Sequence, residues 1–498
     1  HGGAIHAFEA AQVTCERSIF ARNRAGAGGG AIHADGEAQV TLSRCTLVTN
    51  GAPSGGHVYL AGDGATVIDR SLLVFACEGA AVSDNYSPHA TVTCSDVYGN
   101  RGGDWTATLQ GLGGQDGNIA ADPLLADPLG DQPDYRLTVG TPAWSGSDDC
   151  SRMGAVIFDG YSAAPIYGLE PDGSGMFATV QDAMDGIPAG AVIELAPDTF
   201  EGVGNVGLNP QGKAMTVRTR PNAHDQQATL WMGGDLGIAT LLTLDSGEGT
   251  DTLFDDVDFH AAMRGRILEI NGPVGARFVG CGFVNGVGDG GAAVIVGEPD
   301  APATVTFTGC NINFNYCHLE GCGGIRASHW QVGLTDVRFI NDVSYGGPAV
   351  LDLTSCSGQI TGCTFEASDG HTAVHVADQP GDSLRLLGCD FQANAGAFSA
   401  DLTADLAGEL ILDNCTFSDG QGQDRGGSLR ASGTAAGASL VLADCHFTAP
   451  ADVAPCAEGG AIAVDGLALT MSSCTVTGWR ATGNGGGLQA QDCTLDLL

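Results

Sequence analysis

Long stretches of this chain repeat themselves at a fixed interval. The segment 2–23 reads GGAIHAFEAAQVTCERSIFARN, and 29–50 reads GGAIHADGEAQVTLSRCTLVTN. The blocks GGAIHA and AQVT, one arginine and the closing asparagine all keep an offset of 27 residues, and a looser third copy begins at Gly55. Self-similarity with a period of about 20–50 residues is typical of solenoids, in which each repeat packs only against its neighbours.

The second half of the chain repeats a shorter mark, Cys-x-Phe or a close variant, at intervals of 24 to 30 residues. Its apolar position falls at Phe259, Phe283, Ile312, Phe339, Phe365, Phe391, Phe417, Phe447 and Val476. Short alternating runs such as Leu384–Leu387 and Leu410–Leu412 lie between these marks, separated by Gly, Asn and Asp turns. Most units leave no room for a helix, which excludes leucine-rich and α-helical solenoids.

A unit of this length with two or three short strands is one coil of a parallel β-helix. The sequence therefore predicts an all-β fold, a right-handed parallel β-helix built as two β-helix domains in tandem. Successive coils stack at about 4.8 Å, so that equivalent residues form ladders along the axis. We expect parallel coils from about Val192 onward, with the Phe and Cys positions pointing inward.

The repeats fade between residues 100 and 167, which divides the chain. We predict coils of a first β-helix over 1–100, a C-terminal cap and connector over 101–167, and a second β-helix over 168–498. A capping helix is predicted near 177–187, because Thr179-x-x-Asp182 has the form of a capping box. The sequence starts and stops inside repeats, so we expect both domains to be truncated.

The formal net charge of −38 limits the classes of macromolecule that the chain is expected to bind. Such an acidic chain argues against nucleic acid, because phosphate binding needs clustered cations. No apolar run reaches the roughly 18 residues that would span a bilayer. The favoured interpretation of the acidic turns is that they keep a long, Gly-rich solenoid soluble. The alternative is weak calcium binding, at about 10⁻⁴–10⁻³ M; no other cofactor is expected.

Particular runs carry a resemblance to known families. DGSGMFATVQDA at 172–183, followed by VIELAPDTF at 192–200, resembles the opening of pectinesterase-like and pectate-lyase-superfamily β-helices. The GGAI repeats, CSDVYGN at 94–100 and NIAADPL at 118–124 resemble bacterial right-handed β-helix repeat proteins, some of them similar to polymorphic outer-membrane proteins. The resemblance implies the fold and an extracellular or outer-surface location in a bacterium. It does not name an activity, since this fold carries lyases, hydrolases, esterases and adhesins.

The catalytic motifs of those enzymes are missing, so we predict no catalytic residue. Thr250–Phe254 echoes a pectinesterase motif without its glutamine, and Asp369-Gly370-His371 echoes a polygalacturonase motif weakly. The adjacent pairs Asp255-Asp256 and Asp148-Asp149 are poor acid–base candidates, because neighbouring strand residues point to opposite faces. Solvated turn or cap residues are the favoured interpretation of both pairs.

Histidines and cysteines were the candidates for a metal site. His6 and His33 share a ladder position, but the third coil has Tyr59 there and no third ligand is evident, which favours a plain polar ladder. We therefore predict no metal site. Cys317 and Cys322 form either a loop disulfide or free thiols; a zinc site with His318 lacks a second ligand pair.

The remaining cysteines follow the repeat. Those of the Cys-x-Phe mark should stack inward as small buried thiols, because parallel in-register side chains do not converge on disulfide geometry. They are Cys281, Cys310, Cys363, Cys389, Cys415, Cys445 and Cys474.

Two functions remain. The sequence favours a secreted or cell-surface β-helix repeat protein without enzymatic activity, which serves adhesion, carbohydrate contact or envelope structure, with polysaccharide or surface glycans as partners. The alternative is a diverged polysaccharide lyase or glycoside hydrolase. A groove that gathers Asp and Arg residues in the second domain would favour the enzyme, and uniform polar ladders would favour adhesion.

Overall fold

The computed structural model describes most of the chain. The described residues are 2–85, 90–144, 150, 152–156, 161–233, 239–318, 321–377, 384–396, 399, 401–422, 426–449 and 455–498. The chain forms two compact units, which we treat separately. Unit 1 comprises residues 1–198 and 220–226, and unit 2 comprises residues 199–219 and 227–498.

Both units consist of short parallel strands stacked coil upon coil, which confirms the predicted all-β parallel β-helix. In unit 1 three sheets of four strands form the coils. Sheet 1 contains Ile5–Ala7, Ile32–Ala34, Val58–Leu60 and Val82–Asp84. Sheet 2 contains Gln12–Glu16, Gln39–Ser43, Thr66–Asp69 and Ala90–Thr93. Sheet 3 contains Ile19–Ala21, Thr46–Val48, Leu72–Val74 and Asp96–Tyr98.

The rest of unit 1 is less regular. It contains a 3₁₀ turn at Ala107–Leu109, an antiparallel pair Leu125–Asp127 and Asp134–Leu137, and a parallel pair Ile166–Leu169 and Val192–Leu195. Helix Val180–Gly186 lies within the predicted range 177–187. The Thr179 side chain caps it by accepting a hydrogen bond from the backbone N–H of Asp182 at 3.2 Å, as the capping box predicts. The domain boundaries at residues 100 and 167 stay predictions. No helix among the described residues is long and apolar enough to cross a membrane.

Unit 2 continues the same architecture over many more coils. Sheet 4 contains Thr199–Glu201, Ala228–Trp231, Val257–His260, Gly282–Val284, Asn311–Asn313, Arg338–Ile340, Thr364–Glu366, Asp390–Gln392, Thr416–Ser418, His446–Thr448 and Thr475–Thr477. Sheet 5 contains Thr240–Leu244, Arg266–Asn271, Ala293–Val296, Ile325–Ser328, Leu351–Thr354, Val374–Ala377, Leu402–Leu406, Leu429–Gly433, Ile462–Asp465 and Leu488–Gln491.

Two further sheets belong to unit 2, and the second of them extends over five coils. The strands of sheet 6 in this unit are Thr216–Thr219, Leu253–Asp255, Arg277–Val279, Thr306–Thr308, Gln331–Thr335, Ser357–Thr361, Leu384–Leu387, Glu409–Asp413, Ser439–Ala443, Ala468–Ser472 and Thr494–Leu497. Sheet 7 contains the short strands Tyr316–Cys317, Val343–Ser344, Asp369–Gly370, Ala395–Gly396 and Gln421–Gly422.

The Cys-x-Phe mark sets the register of sheet 4. The predicted apolar positions pair directly with one another from Phe259 to Val476. The rings from Phe339 to Phe447 form a continuous buried stack. In it the centroids of Phe365 and Phe391 are 4.6 Å apart and those of Phe391 and Phe417 are 4.7 Å apart. The predicted internal column is therefore confirmed.

The cysteines of the mark line the coil next to this stack as free thiols, as predicted. The Cys389 thiol donates to the carbonyl of Ile360 on the preceding coil, and the Cys415 thiol donates to the carbonyl of Leu386, both at 3.4 Å. A disulfide joins Cys94 to Cys150 in unit 1, and the sequence had not indicated it.

Cys317 and Cys322 are both free thiols, so the loop disulfide considered for them does not form. Both side chains are buried and not at the surface. Cys317 belongs to a strand of sheet 7, and the Cys322 thiol donates to the carbonyl of Ile325 at 3.4 Å.

A row of polar side chains is buried inside unit 2. The Asn315 side chain donates to Asp342 at 3.0 Å, and the Asn394 side chain donates to Asp401 at 3.0 Å. Burial raises the pKa of Asp401 to about 7, although hydrogen bonds with Asn394 and Ser428 lower it in part. Burial also raises the pKa of Asp342 well above its usual range. Burial of either carboxyl therefore lowers the stability of the fold when the carboxyl group is ionised.

Replacing Phe391 by Ala removes one ring from the middle of the stack. We expect the variant to lose about 3–5 kcal/mol of unfolding free energy, because the cavity is lined by rings that cannot collapse into it. Chemical denaturation followed by circular dichroism measures this loss. Gln392→Ala, at the adjacent exposed position, is the control and should change stability by less than about 0.5 kcal/mol.

Asp401→Asn tests the buried carboxyl. The pKa of Asp401 is higher in the folded state than in the unfolded state. The free energy of unfolding of the parent therefore falls as pH rises from about 4 through 7, and the full loss is present above pH 7. We expect the variant to be more stable than the parent at pH 8, by up to about 4 kcal/mol, with the gain shrinking toward pH 4. Unfolding midpoints across this range measure the gain. Asp342→Asn should behave in the same direction, and a gain independent of pH in both variants would contradict this explanation.

Candidate functional site

A groove of about 550 Å³ lies on the outward face of sheet 5 in unit 2. Polar and charged side chains dominate its lining. The lining residues are Gly321, Arg326, Gly346, Gly347, Pro348, Asp352, Thr354, His371, Thr372, His375, Thr403, Asp405 and Arg430.

Strand alternation places these side chains outside the coil. In Val374–Ala377, Val374 and Val376 are buried while His375 between them points outward. The in-register stacking then aligns the outward residues of successive coils. In the strand register Asp352 lies next to His375, and His375 lies next to Thr403. Arg326 and Arg430 extend the same ladder at its two ends.

Two carboxylates hold the His375 ring. Its Nδ1 lies 2.9 Å from Oδ1 of Asp352, and its Nε2 lies 3.4 Å from Oδ2 of Asp405. The other oxygen of Asp405 accepts a hydrogen bond from the Ser432 hydroxyl at 2.5 Å. Because both partners of the ring are carboxylates, a doubly protonated imidazolium satisfies both contacts as donor.

The electrostatics agree with this protonation state. Burial lowers the pKa of His375, but the hydrogen bonds to Asp352 and Asp405 and their negative charges outweigh it and raise the pKa to about 9. The same contact with His375 lowers the pKa of Asp405, against a smaller opposing effect of burial. At neutral pH the groove therefore contains an imidazolium between two carboxylates, and 26% of the histidine side chain is exposed.

Arginines flank this cluster. Arg326 forms an ion pair with Asp289, and its Nε lies 3.7 Å from Oδ2 of Asp352. Arg430 lines the opposite end of the groove. The groove thus presents both hydrogen-bond donors and acceptors along a line that crosses five coils.

Sheet 4 carries a second, more open surface. Thr199, Glu201, Thr229, Trp231 and His260 surround a depression of about 470 Å³. The Trp231 side chain is 36% exposed, and its ring centroid lies 6.5 Å from that of His260. Exposed indole faces are suited to stacking, and among the described residues the lining of this depression has one carboxylate, that of Glu201.

The structure describes most of the acidic and histidine residues singled out from the sequence. His371 lines the groove, whereas Asp369 belongs to a strand of sheet 7 and is exposed. Asp255 ends a strand of sheet 6, and the side chain of Asp256 accepts a hydrogen bond from Gln227. In Thr250–Phe254, the Phe254 ring is buried in the core. Asp148 and Asp149 lie outside the described residues.

The histidine ladder of unit 1 is present, and it has a neighbour that the sequence analysis missed. His6 pairs with His33, and His33 pairs with Tyr59. Asp35 supplies a third ligand atom, and those of His6, His33 and Asp35 all lie within 4.8 Å of one another. The statement that no third ligand is evident was therefore wrong. In unit 2, His318 stacks on Tyr345 with ring centroids 5.9 Å apart.

Asp352, His375 and Asp405 were missed because no local motif joins them. They lie on three coils, with His375 23 residues after Asp352 and 30 residues before Asp405. Only an alignment of the outward positions of successive coils would have brought them together.

Comparisons with protein-family models, with curated proteins and with solved structures find no match to this chain. The parallel β-solenoid is shown by the structure of the chain itself.

His375→Gln tests the charged cluster. A folded-state pKa raised to about 9 means that the stabilisation is complete below about pH 6.5 and is lost as pH rises through 9. We expect the variant to be less stable than the parent by about 1–3 kcal/mol at pH 6, with the difference shrinking toward pH 10.

Thermal or denaturant unfolding at several pH values measures this difference. His224→Gln, which replaces an exposed histidine of a turn, is the control and should follow the parent at every pH. A His375→Gln variant that is equally destabilised at pH 6 and pH 10 would show that the side chain matters for its shape and not for its charge.

Proposed function

We propose that this protein is a secreted or surface-exposed β-helix protein that binds an acidic polysaccharide in the groove of sheet 5. The observation that carries the proposal is the Asp352–His375–Asp405 cluster, flanked by Arg326 and Arg430 in an open cleft. The resemblance to pectate-lyase-like and bacterial β-helix repeat proteins supports the same assignment, including a location outside a bacterial cell.

The shape of the groove favours an extended ligand. Its volume of about 550 Å³ lies in the range of small-molecule sites, about 300–1,000 Å³. Its polar groups follow the coil axis and are not gathered around one point. A chain of sugar rings matches such a row, because each ring offers hydroxyls that donate and accept hydrogen bonds.

The charge of the groove favours a sugar that carries carboxylates. Three cations, Arg326, His375 and Arg430, line the groove with Asp352 and Asp405, and Arg326 also pairs with Asp289 at its edge. The chain as a whole has a formal charge of −38, so a groove in which three cations balance three carboxylates is less acidic than the chain average. Arginine binds a carboxylate through two parallel hydrogen bonds, and a neutral sugar has no carboxylate to accept them.

A diverged lyase or hydrolase is the second candidate, and the cluster itself favours it. His375, with its raised pKa, would donate a proton, and Asp405, with its lowered pKa, would accept one. Efficient acid–base groups have pKa values near the working pH. Since those of this pair are displaced away from neutrality, binding is the better-supported role.

Binding of oligogalacturonate, compared with a neutral oligosaccharide of equal length, tests the proposal by calorimetry. We expect the acidic oligomer to bind more tightly than the neutral one. Arg430→Ala should weaken that binding at least tenfold, or about 1.4 kcal/mol, because it removes a charged hydrogen-bond donor. Arg338→Ala, an exposed arginine of sheet 4 that pairs with Glu366, is the control and should bind like the parent.

Equal affinity of the parent and Arg430→Ala would overturn the assignment of the groove. Release of unsaturated or reducing ends from the polymer, abolished by Asp405→Asn, would establish the second candidate in place of simple binding. Weak calcium binding by the acidic turns stays a separate prediction, which a thermal melt in millimolar calcium checks.

A further inference from the structure

We propose that His6, His33 and Asp35 of unit 1 form a binding site for a divalent transition metal of the zinc class. The three residues lie on two neighbouring coils. His6 and His33 are direct partners in sheet 1, with ring centroids 5.0 Å apart. Asp35 follows the strand Ile32–Ala34 and lies two residues after His33, on the same face.

Backbone groups orient two of the three ligands. The His33 side chain is buried, and its Nδ1 lies 3.2 Å from the carbonyl oxygen of Gly28. A carbonyl only accepts, so Nδ1 carries the proton and Nε2 carries the lone pair. This arrangement, in which one ring nitrogen donates to a carbonyl, is the usual support of a metal-binding histidine.

The carboxylate is held in a similar way. Oδ1 of Asp35 accepts a hydrogen bond from the backbone N–H of Gly36 at 2.8 Å. Gly36 has a φ of +67°, in the left-handed region that favours glycine. On the other side, the Tyr59 ring packs against His33 with centroids 5.1 Å apart.

The donor set selects the kind of metal. Two imidazoles and one carboxylate suit zinc and neighbouring transition metals, whereas calcium and magnesium prefer oxygen ligands alone. Zinc bonds of about 2.0–2.1 Å in a tetrahedron place ligand atoms about 3.3 Å apart. The three atoms lie within 4.8 Å, and rotation of the exposed His6 and Asp35 side chains closes the difference. Three protein ligands leave the fourth position to water.

Such a metal would join one coil to the next. Because it binds the folded arrangement and not separated coils, it would raise the melting temperature in a concentration-dependent way. This inference concerns unit 1 and is independent of the polysaccharide groove of unit 2.

The test uses the full chain without a histidine tag. Zinc titrated by calorimetry should bind one ion per chain at least a hundredfold more tightly than calcium does. Cobalt(II) should give the intense visible absorption of a four-coordinate site with nitrogen ligands. His6→Gln and Asp35→Asn should each weaken zinc binding at least tenfold; both positions are exposed, so the coil is expected to stay folded.

Asp63→Asn, an exposed aspartate in the turn after the next strand of sheet 1, is the control and should bind zinc like the parent. Circular dichroism of each variant checks that the fold is retained. The site is overturned if zinc binds no more tightly than calcium, or if His6→Gln and Asp35→Asn bind zinc with the affinity of the parent.

Discussion

The stacking of each coil on the next, in register, is the constraint on which everything else in this structure depends. Backbone hydrogen bonds between parallel strands fix the rise per coil, and the inward ladders fix the register. The Phe365, Phe391 and Phe417 rings stack with centroids less than 5 Å apart, so a slip by one residue would turn the whole row outward. Order inside the coil therefore determines which side chains meet outside it.

Much of the fold followed from the sequence because inward positions recur with the repeat. The Cys-x-Phe mark predicted the column from Phe259 to Val476, because an apolar residue that recurs once per coil must point into the core of the coil. The thiol column followed for the same reason. The capping helix was recognised because Thr179 and Asp182 form a local motif that needs no knowledge of the tertiary structure.

The candidate groove could not be predicted from the sequence, because outward residues are not constrained by the repeat. Asp352, His375 and Asp405 each look like an ordinary polar position on a strand, and only the register of three coils brings them into contact. Asp35 was missed as a neighbour of His6 and His33 for a similar reason: it is not in the ladder but in the turn beside it. The Cys94–Cys150 disulfide joins a coil to the irregular segment that follows, where no periodicity guides prediction.

The register also limits how such a chain can change in length. One coil of unit 2, the 26 residues that separate Phe365 from Phe391, could in principle be inserted or deleted as a block, and the ring stack would close over the junction. The groove has no such tolerance, because His375 needs Asp352 on the coil before it and Asp405 on the coil after it. Insertion or deletion of whole coils can thus preserve the solenoid while it creates or erases the Asp352–His375–Asp405 cluster in a single step. The arrangement of outward side chains therefore depends on which coils are neighbours, whereas the core depends only on their common repeat.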